Sequence, residues 1–198
     1  FADLTVDAGR GRLIAVCEAH VRDGEEPENT LVAIDGEGQV TTLAAGADFY
    51  AAPRLSPDGA RLAWLSWTHP NMPWDGCTLT LASLGPDGSV TETEVVAGGK
   101  DEALFQPEWS PDGTLYFVSD RSGWWNFYRW REDTVQPVCP MPLDFGLPQW
   151  VFNMRSYGFL GAGSILAVGL VDGIAKLFRI DTTDGAAESV PAPYVDMQ

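Results

Sequence analysis

The sequence predicts an all-β fold built from about four similar units of roughly 50 residues. Three observations predict it. A turn phrase recurs, as Ser56-Pro57-Asp58-Gly59 and Ser110-Pro111-Asp112-Gly113, at a spacing of 54 residues. An apolar run follows each copy, Leu62-Ala63-Trp64-Leu65 after the first and Leu115-Tyr116-Phe117-Val118 after the second. The spacing also extends outward. Arg12-Leu13-Ile14-Ala15-Val16 lies 49 residues before Arg61-Leu62-Ala63-Trp64-Leu65, and Ile165-Leu166-Ala167-Val168 lies 50 after Leu115-Tyr116-Phe117-Val118. In the turn phrase, proline presets φ at the first central position, aspartate tolerates the second and glycine accepts φ > 0, which reverses the chain between two strands. Helical repeats of this length would show apolar residues at i, i+3, i+4 and i+7, and no segment does. The period is that of a β-propeller whose blades are four-stranded antiparallel sheets.

Four blades are expected, near 1–46, 49–97, 103–140 and 150–193. In the first, strands are read at 12–16, 31–34 and 39–43. The second shows all four: a short inner strand at 53–56, then 61–66, 77–83 and 90–96. Thr78 and Thr80 alternate with Leu79 and Leu81 in its third strand, and Gly85-Pro86-Asp87-Gly88 leads into the fourth. The third blade has strands at 115–118, 127–130 and 135–138, and the fourth at 165–168, 176–180 and 188–190. Second strands are apolar throughout because blades on both sides cover them. Outer strands carry Glu92, Glu94 and Pro137, which discourage an edge from pairing with another chain.

Composition fits one repeat domain with many turns and a core: 21 Gly and 14 Pro beside 45% hydrophobic residues. No run of 18 apolar residues is present, so no membrane-spanning helix is expected. The chain opens Phe1-Ala2-Asp3 without an initiator Met or a signal pattern, and is expected to start inside a longer protein. Net charge is −16, from 12 basic and 28 acidic residues. Nucleic acid and anionic membrane are excluded as partners, since both need clustered Lys and Arg. Solubility is the first explanation of the charge, and attraction of a cationic substrate the second. Cys17, Cys77 and Cys139 fall in different units with no Cys-x-x-Cys, which suits buried, unpaired thiols in a reducing, cytoplasmic setting.

No catalytic residue, metal ligand or cofactor site is read from the chain. Gly-x-Ser-x-Gly, the nucleophile elbow, is absent. Gly161-Ala162-Gly163-Ser164 is read as the turn between the first two strands of the fourth blade, because a phosphate cradle needs a following helix. His20 and His69, the two imidazoles, lie 49 apart, so an echo of the repeat explains them better than a metal pair.

Beyond the turn phrase, several stretches carry a resemblance. They are Phe49-Tyr50-Ala51-Ala52-Pro53-Arg54-Leu55, Trp67-Thr68-His69-Pro70-Asn71-Met72-Pro73-Trp74-Asp75-Gly76, Gln106-Pro107-Glu108-Trp109, and Ser119-Asp120-Arg121-Ser122-Gly123-Trp124-Trp125-Asn126. Over nearly its whole length the chain resembles the propeller domain of the prolyl oligopeptidase family, on the dipeptidyl-aminopeptidase/acylaminoacyl-peptidase branch. Propellers of that family have about seven blades, and their catalytic Ser, Asp and His lie in a C-terminal α/β-hydrolase domain with no counterpart in this chain. The resemblance implies a fragment of a larger propeller. It would be the non-catalytic portion of a serine peptidase acting on short peptides or N-terminally blocked residues. The propeller would gate access and contribute to the substrate pocket, with the hydrolase domain and a peptide substrate as partners. A stand-alone propeller that binds a protein or peptide is the alternative.

Blade topology places the loops between second and third strands on the same end as the connections from blade to blade. That end gathers Phe49, Tyr50, Trp67, Trp74, Phe105, Trp124, Trp125 and Phe145 beside Asp48, Asp101, Glu102, Arg121 and Asp144. Trp67, Trp74, Asp101, Glu102, Arg121, Trp124 and Trp125 are the candidates for substrate binding or a domain interface. The competing reading makes the aromatics filling between blades and Arg121 the partner of a neighbouring acid. Open apolar faces on the first and fourth blades are expected to drive self-association, with closure into a compact four-bladed ring as the less favoured alternative.

Overall fold

The structure is a computed structural model that describes residues 1–20 and 24–192. The last residue of the fourth expected unit and part of the loop between the second and third strands of the first, 21–23, lie outside the described residues. Among the described residues sixteen strands form four antiparallel sheets, each with its strands in sequence order. The first sheet holds β1 (Ala2–Asp7), β2 (Arg12–Ala19), β3 (Glu28–Ile34) and β4 (Val40–Ala44). The second holds β5 (Phe49–Leu55), β6 (Arg61–Trp67), β7 (Thr78–Leu84) and β8 (Val90–Gly98). The third holds β9 (Leu104–Trp109), β10 (Leu115–Ser119), β11 (Asn126–Arg131) and β12 (Thr134–Pro137). The fourth holds β13 (Tyr157–Gly161), β14 (Ser164–Val171), β15 (Ile174–Asp181) and β16 (Ala187–Val190). The helix of the described residues is a single 3₁₀ turn, Ala8–Arg10.

Three apolar layers hold neighbouring blades face to face. Ile14, Val16 and Leu31 meet Leu62, Trp64 and Ala82 between the first two. Leu65 and Leu79 meet Leu104, Leu115 and Phe117 between the second and third. Tyr116, Val118 and Phe127 meet Phe145, Ile165 and Phe178 between the third and fourth. Each fully buried Leu or Phe contributes about 1.5–3 kcal/mol relative to exposure. Successive residues of one second strand face opposite layers: Leu62 and Trp64 point one way, Ala63 and Leu65 the other. This is why β6 and β10 are apolar without alternation, whereas β14 in the outermost blade alternates between buried and half-buried positions.

Two features position the loops. The turn phrases close as expected, with Gly59 and Gly113 at φ 71° and 81°, and Gly59 N–H and Gly113 N–H donating to Ser56 O and Ser110 O. The inner strands carry bulges that the sequence did not reveal. Asp3, Ala52 and Gln106 recur at the blade period with φ between 45° and 51°, where the register of β1, β5 and β9 slips. The Asp3 carboxylate accepts from Ala52 N–H, and Gln106 Oε1 accepts from Ser156 N–H at 2.7 Å, so the Asp3 and Gln106 bulges each stitch their blade to the next.

The bulges correct part of the loop reading. Pairing of β5 with β6 continues past Ala52 as far as Phe49↔Trp67, so the inner strand begins at Phe49 and not at Pro53. Tyr50, read as a loop residue, is therefore 3% exposed. Phe105 lies within β9 for the same reason, and both Phe105 and Phe145 are core residues at 1% exposure. The cysteines are unpaired, but only Cys77 and Cys139 are buried, and Cys17 is half-buried. Burial pushes the Cys77 thiol up to about 12.

Candidate functional site

The two ends of the molecule are built differently. At the turn end, backbone carbonyls and arginines are joined across blades. Arg10 donates to Gly59 O and Gly85 O at 3.0 Å each, Arg12 to Gly88 O at 2.8 Å, and Arg61 to Gly113 O at 3.0 Å. Burial would raise the Asp7 carboxyl, but hydrogen bonds from Arg12 and Arg10 outweigh it and hold the group below its usual value. A depression of about 560 Å³ lies there, lined by Arg10, Arg54, Asp58 and neighbours. Arg54 donates to Glu108 and Arg10 to Asp7, so the charges at this end are engaged with the fold itself.

At the other end, loops between second and third strands are tied to the blade connections by acidic side chains. Asp48 accepts from His69 N–H at 2.8 Å, Asp120 from Ala103 N–H at 2.9 Å, and Asp144 from Trp125 N–H at 2.9 Å. Burial raises the Asp120 carboxyl, and the nearby Glu102 charge adds to the rise. The two loop sets therefore share one end, as blade topology requires.

The candidate residues separate into three groups. Trp67 and Trp74 line one cleft. Glu102 and Arg121 form a clip: Arg121 Nε donates to Glu102 Oε1 at 2.8 Å, Ser119 Oγ donates to the same oxygen at 2.6 Å, and the guanidinium lies 5.1 Å from the Tyr128 ring. Arg121 thus serves as the partner of a neighbouring acid. Asp101 is exposed and sits 3.8 Å from Lys100. Trp125 is locked between blades: its carbonyl accepts from Phe145 N–H, and its ring covers Gly146 so closely that a Cβ there would come within 2.3 Å. Trp124 is 45% exposed and does not line the cleft that holds Trp67 and Trp74.

The cleft has a volume of about 440 Å³. Phe49 and Trp67 stack on one wall with ring centroids 5.4 Å apart, and His69 meets Phe49 edge-on at 5.0 Å. Trp74 and Trp150 form a second pair at 4.1 Å. Met72 and Phe152 extend the apolar lining, and Glu18 and Asn29 supply polar groups from the first blade. Glu18 Oε1 is 2.8 Å from His20 Nε2, and His69 Nε2 is 3.5 Å from Glu26, so each histidine meets a carboxylate of its own surroundings.

Sequence reasoning missed Trp150 and Phe152. The connection after the third blade was read as ending at Gln149, but the irregular stretch runs on to Ser156, before β13. The signal was present: Trp150-Val151-Phe152 is an apolar triplet with no partner strand in the period, too far from Ile165 to belong to a hairpin.

No family model matches the chain, and no curated protein matches it. Solved structures do. Puromycin hydrolase superposes with a TM-score of 0.91 and 32% identity, over 98% of this chain and 31% of its own length. A puromycin-hydrolyzing peptidase of Mycobacterium tuberculosis follows at a TM-score of 0.73 and 28% identity, over 95% of this chain and 37% of that one. Prolyl oligopeptidase B from Galerina marginata shares the fold at a TM-score of 0.70 and 8% identity, over 98% of this chain and 28% of that one. Over almost its whole length the chain is thus similar to the propeller portion of puromycin hydrolase, and it spans about a third of that protein.

Proposed function

We propose that the chain is the non-catalytic propeller portion of a serine peptidase that hydrolyses short peptides or N-terminally blocked residues, on the dipeptidyl-aminopeptidase/acylaminoacyl-peptidase side of the prolyl oligopeptidase family. The observation that carries this reading is the 32% identity to puromycin hydrolase over 98% of the chain. That protein is longer by more than this chain's length, which leaves room for a catalytic α/β-hydrolase domain as the propeller's covalent partner. The propeller restricts which molecules reach the catalytic centre and lends the loop end to the substrate pocket. Cytoplasmic placement accords with three unpaired cysteines.

The aromatic cleft supports a second reading, a propeller that binds a peptide or protein without any hydrolase. One experiment separates the two. The parent polypeptide and the 198-residue chain are assayed side by side on aminoacyl, dipeptidyl and acylaminoacyl chromogenic substrates, with and without a serine-directed phosphonate. The first reading expects phosphonate-sensitive turnover by the parent and none by the chain alone. A parent that turns over nothing supports the binding module. Phosphonate-sensitive turnover by the rigorously purified chain contradicts both.

A further inference from the structure

We infer that the outer edge of the second blade, strand β8, takes on an extended segment of a partner protein in which basic residues alternate with apolar ones. The inference goes beyond the peptidase reading and does not rest on it, since it concerns the rim of the molecule and not the loop end.

The outermost strand of each blade has no partner on its far side among the described residues. Three of these strands are short: β4 has five residues, and β12 and β16 have four each, with Pro137 in β12. β8 has nine, and Thr91 to Val95 are exposed without a break, Val95 at 65%. Its ladder is irregular at both ends, but between them Glu92, Thr93, Glu94 and Val95 pair regularly with Ser83, Ala82, Leu81 and Thr80. Leu84 N–H donates to Ala60 O, which turns the Ser83 backbone towards β8. Glu92 and Glu94, opposite Ser83 and Leu81, therefore bond inward, and the N–H and C=O groups of Thr93 and Val95 face away from β7. A long edge with free donors and acceptors is a template for one more strand.

The chemistry of the incoming strand follows from the side chains. Leu81 belongs to the layer between the second and third blades, so Glu94 opposite it, and Glu92 two residues away, face the third blade. There they line a groove of about 290 Å³ with Trp130 and Asp133. No ion pair engages Glu92, Glu94 or Asp133 among the described residues. Arg61, the basic residue in the groove, is turned to Gly113 O at 3.0 Å and to the Trp109 ring at 4.6 Å. Lysines at alternate positions of an added strand would stand directly opposite Glu92 and Glu94, with the Trp130 ring beside them. On the other face the strand would meet Thr93 and the exposed Val95, which suits valine or another β-branched residue. The same carboxylates exclude a second copy, because antiparallel pairing of β8 with itself sets glutamate opposite glutamate. The net charge of −16 favours a basic partner at long range.

The test is an NMR titration of the 198-residue chain, labelled at its valine and threonine nitrogens, with four acetylated peptide amides. The first is Val-Lys-Val-Lys-Val, and the second has glutamate for both lysines. The third is the first with an N-methyl group on the central valine, and the fourth is the first with N-methyl groups on both lysines. With the lysines opposite Glu94 and Glu92, the central valine N–H points at β8 and the lysine N–H groups point away. The first peptide should bind saturably and shift the Thr93 and Val95 amides most. The second and third should each bind at least about tenfold more weakly, and the fourth within about twofold of the first. Glu92→Gln with Glu94→Gln, at two exposed positions, should weaken the first peptide about fivefold. Thr93→Pro removes an outward N–H without taking a bond from the ladder to β7, and should weaken it about tenfold. Absence of saturable binding overturns the inference. So does equal binding of the first and third peptides, which would show charge attraction without strand addition, or equal binding of the first and second. Should Thr93→Pro fail to fold, the two N-methylated peptides decide the matter on the unaltered chain. Neither outcome bears on whether the parent polypeptide is a peptidase.

Discussion

Two rows of side chains at the same place in the repeat meet different fates. In the second blade, Leu55, Leu62 and Ala82 stand in register across β5, β6 and β7 and face the first blade; Leu62 and Ala82 are fully buried. Their counterparts in the first blade are Val6, Leu13, Ile34 and Val40, in register across β1 to β4. Among the described residues nothing covers that row to a comparable degree: Val6 is 67% exposed, Leu13 37% and Val40 50%. The third and fourth blades repeat the covered case, with Leu115 and Ile165 at 1% and 0%. The sequence of each blade therefore encodes a neighbour on this side, including the first blade, which has none among the described residues. The far face of the fourth blade agrees. Leu166 and Val168 are half-buried where the matching Tyr116 and Val118 of the third blade are buried. Such a pattern belongs to an arc of a larger propeller, in keeping with a match that spans 31% of puromycin hydrolase.

The largest effect should come from the covered row. Leu62→Ala is expected to cost about 2–5 kcal/mol in urea unfolding, through lost transfer energy and a cavity between blades. Leu13→Ala, at the matching position on the open row, should cost under about 1 kcal/mol. Equal costs would show that something buries the first row after all.

A smaller effect is expected at the turn end. Asp112 accepts hydrogen bonds from Ser110 Oγ and Thr114 N–H, and Asp112→Ala should cost about 1 kcal/mol by the same measurement. The same bonds set the response to acid. The Ser110 hydroxyl holds the Asp112 carboxyl below its usual 3.8, and Ser56 does the same for Asp58. A lowered folded-state value adds stability at pH above 3.8 and loses it as pH falls through the lowered value. Thermal melts should therefore drop between pH 5 and pH 2, and Asp58→Asn with Asp112→Asn should flatten the drop. A double variant with an unchanged profile would assign the acid response to other groups, such as Asp7. The smallest stability effect belongs to the cleft: Trp150→Ala should change unfolding by no more than about 0.5 kcal/mol, since the ring is mostly in solvent.

Much of this fold was legible because its signals are local. A Ser-Pro-Asp-Gly turn needs only its own four residues, and a strand covered on both faces shows itself as an unbroken apolar run, as at Leu115-Tyr116-Phe117-Val118. The inner strands were harder to read. Their bulges at Asp3, Ala52 and Gln106 depend on partners one blade away, and no common residue type marks them. Tyr50 and Phe105 were misplaced for that reason. The candidate site was legible in part: topology brought Trp67 and Trp74 to the right end, and composition could not say that Trp125 would be spent covering Gly146. Trp150 reaches the cleft through a connection of irregular backbone, which leaves no periodic trace.

Light scattering on the 198-residue chain over a range of concentrations tests the central claim most directly, that the outer blade faces are made for neighbours. The account predicts a mass that rises above 21.5 kDa with concentration, and a return towards 21.5 kDa when Val6→Lys and Leu13→Lys place charge on the open row. A mass of 21.5 kDa at every concentration, with or without the two lysines, would contradict it.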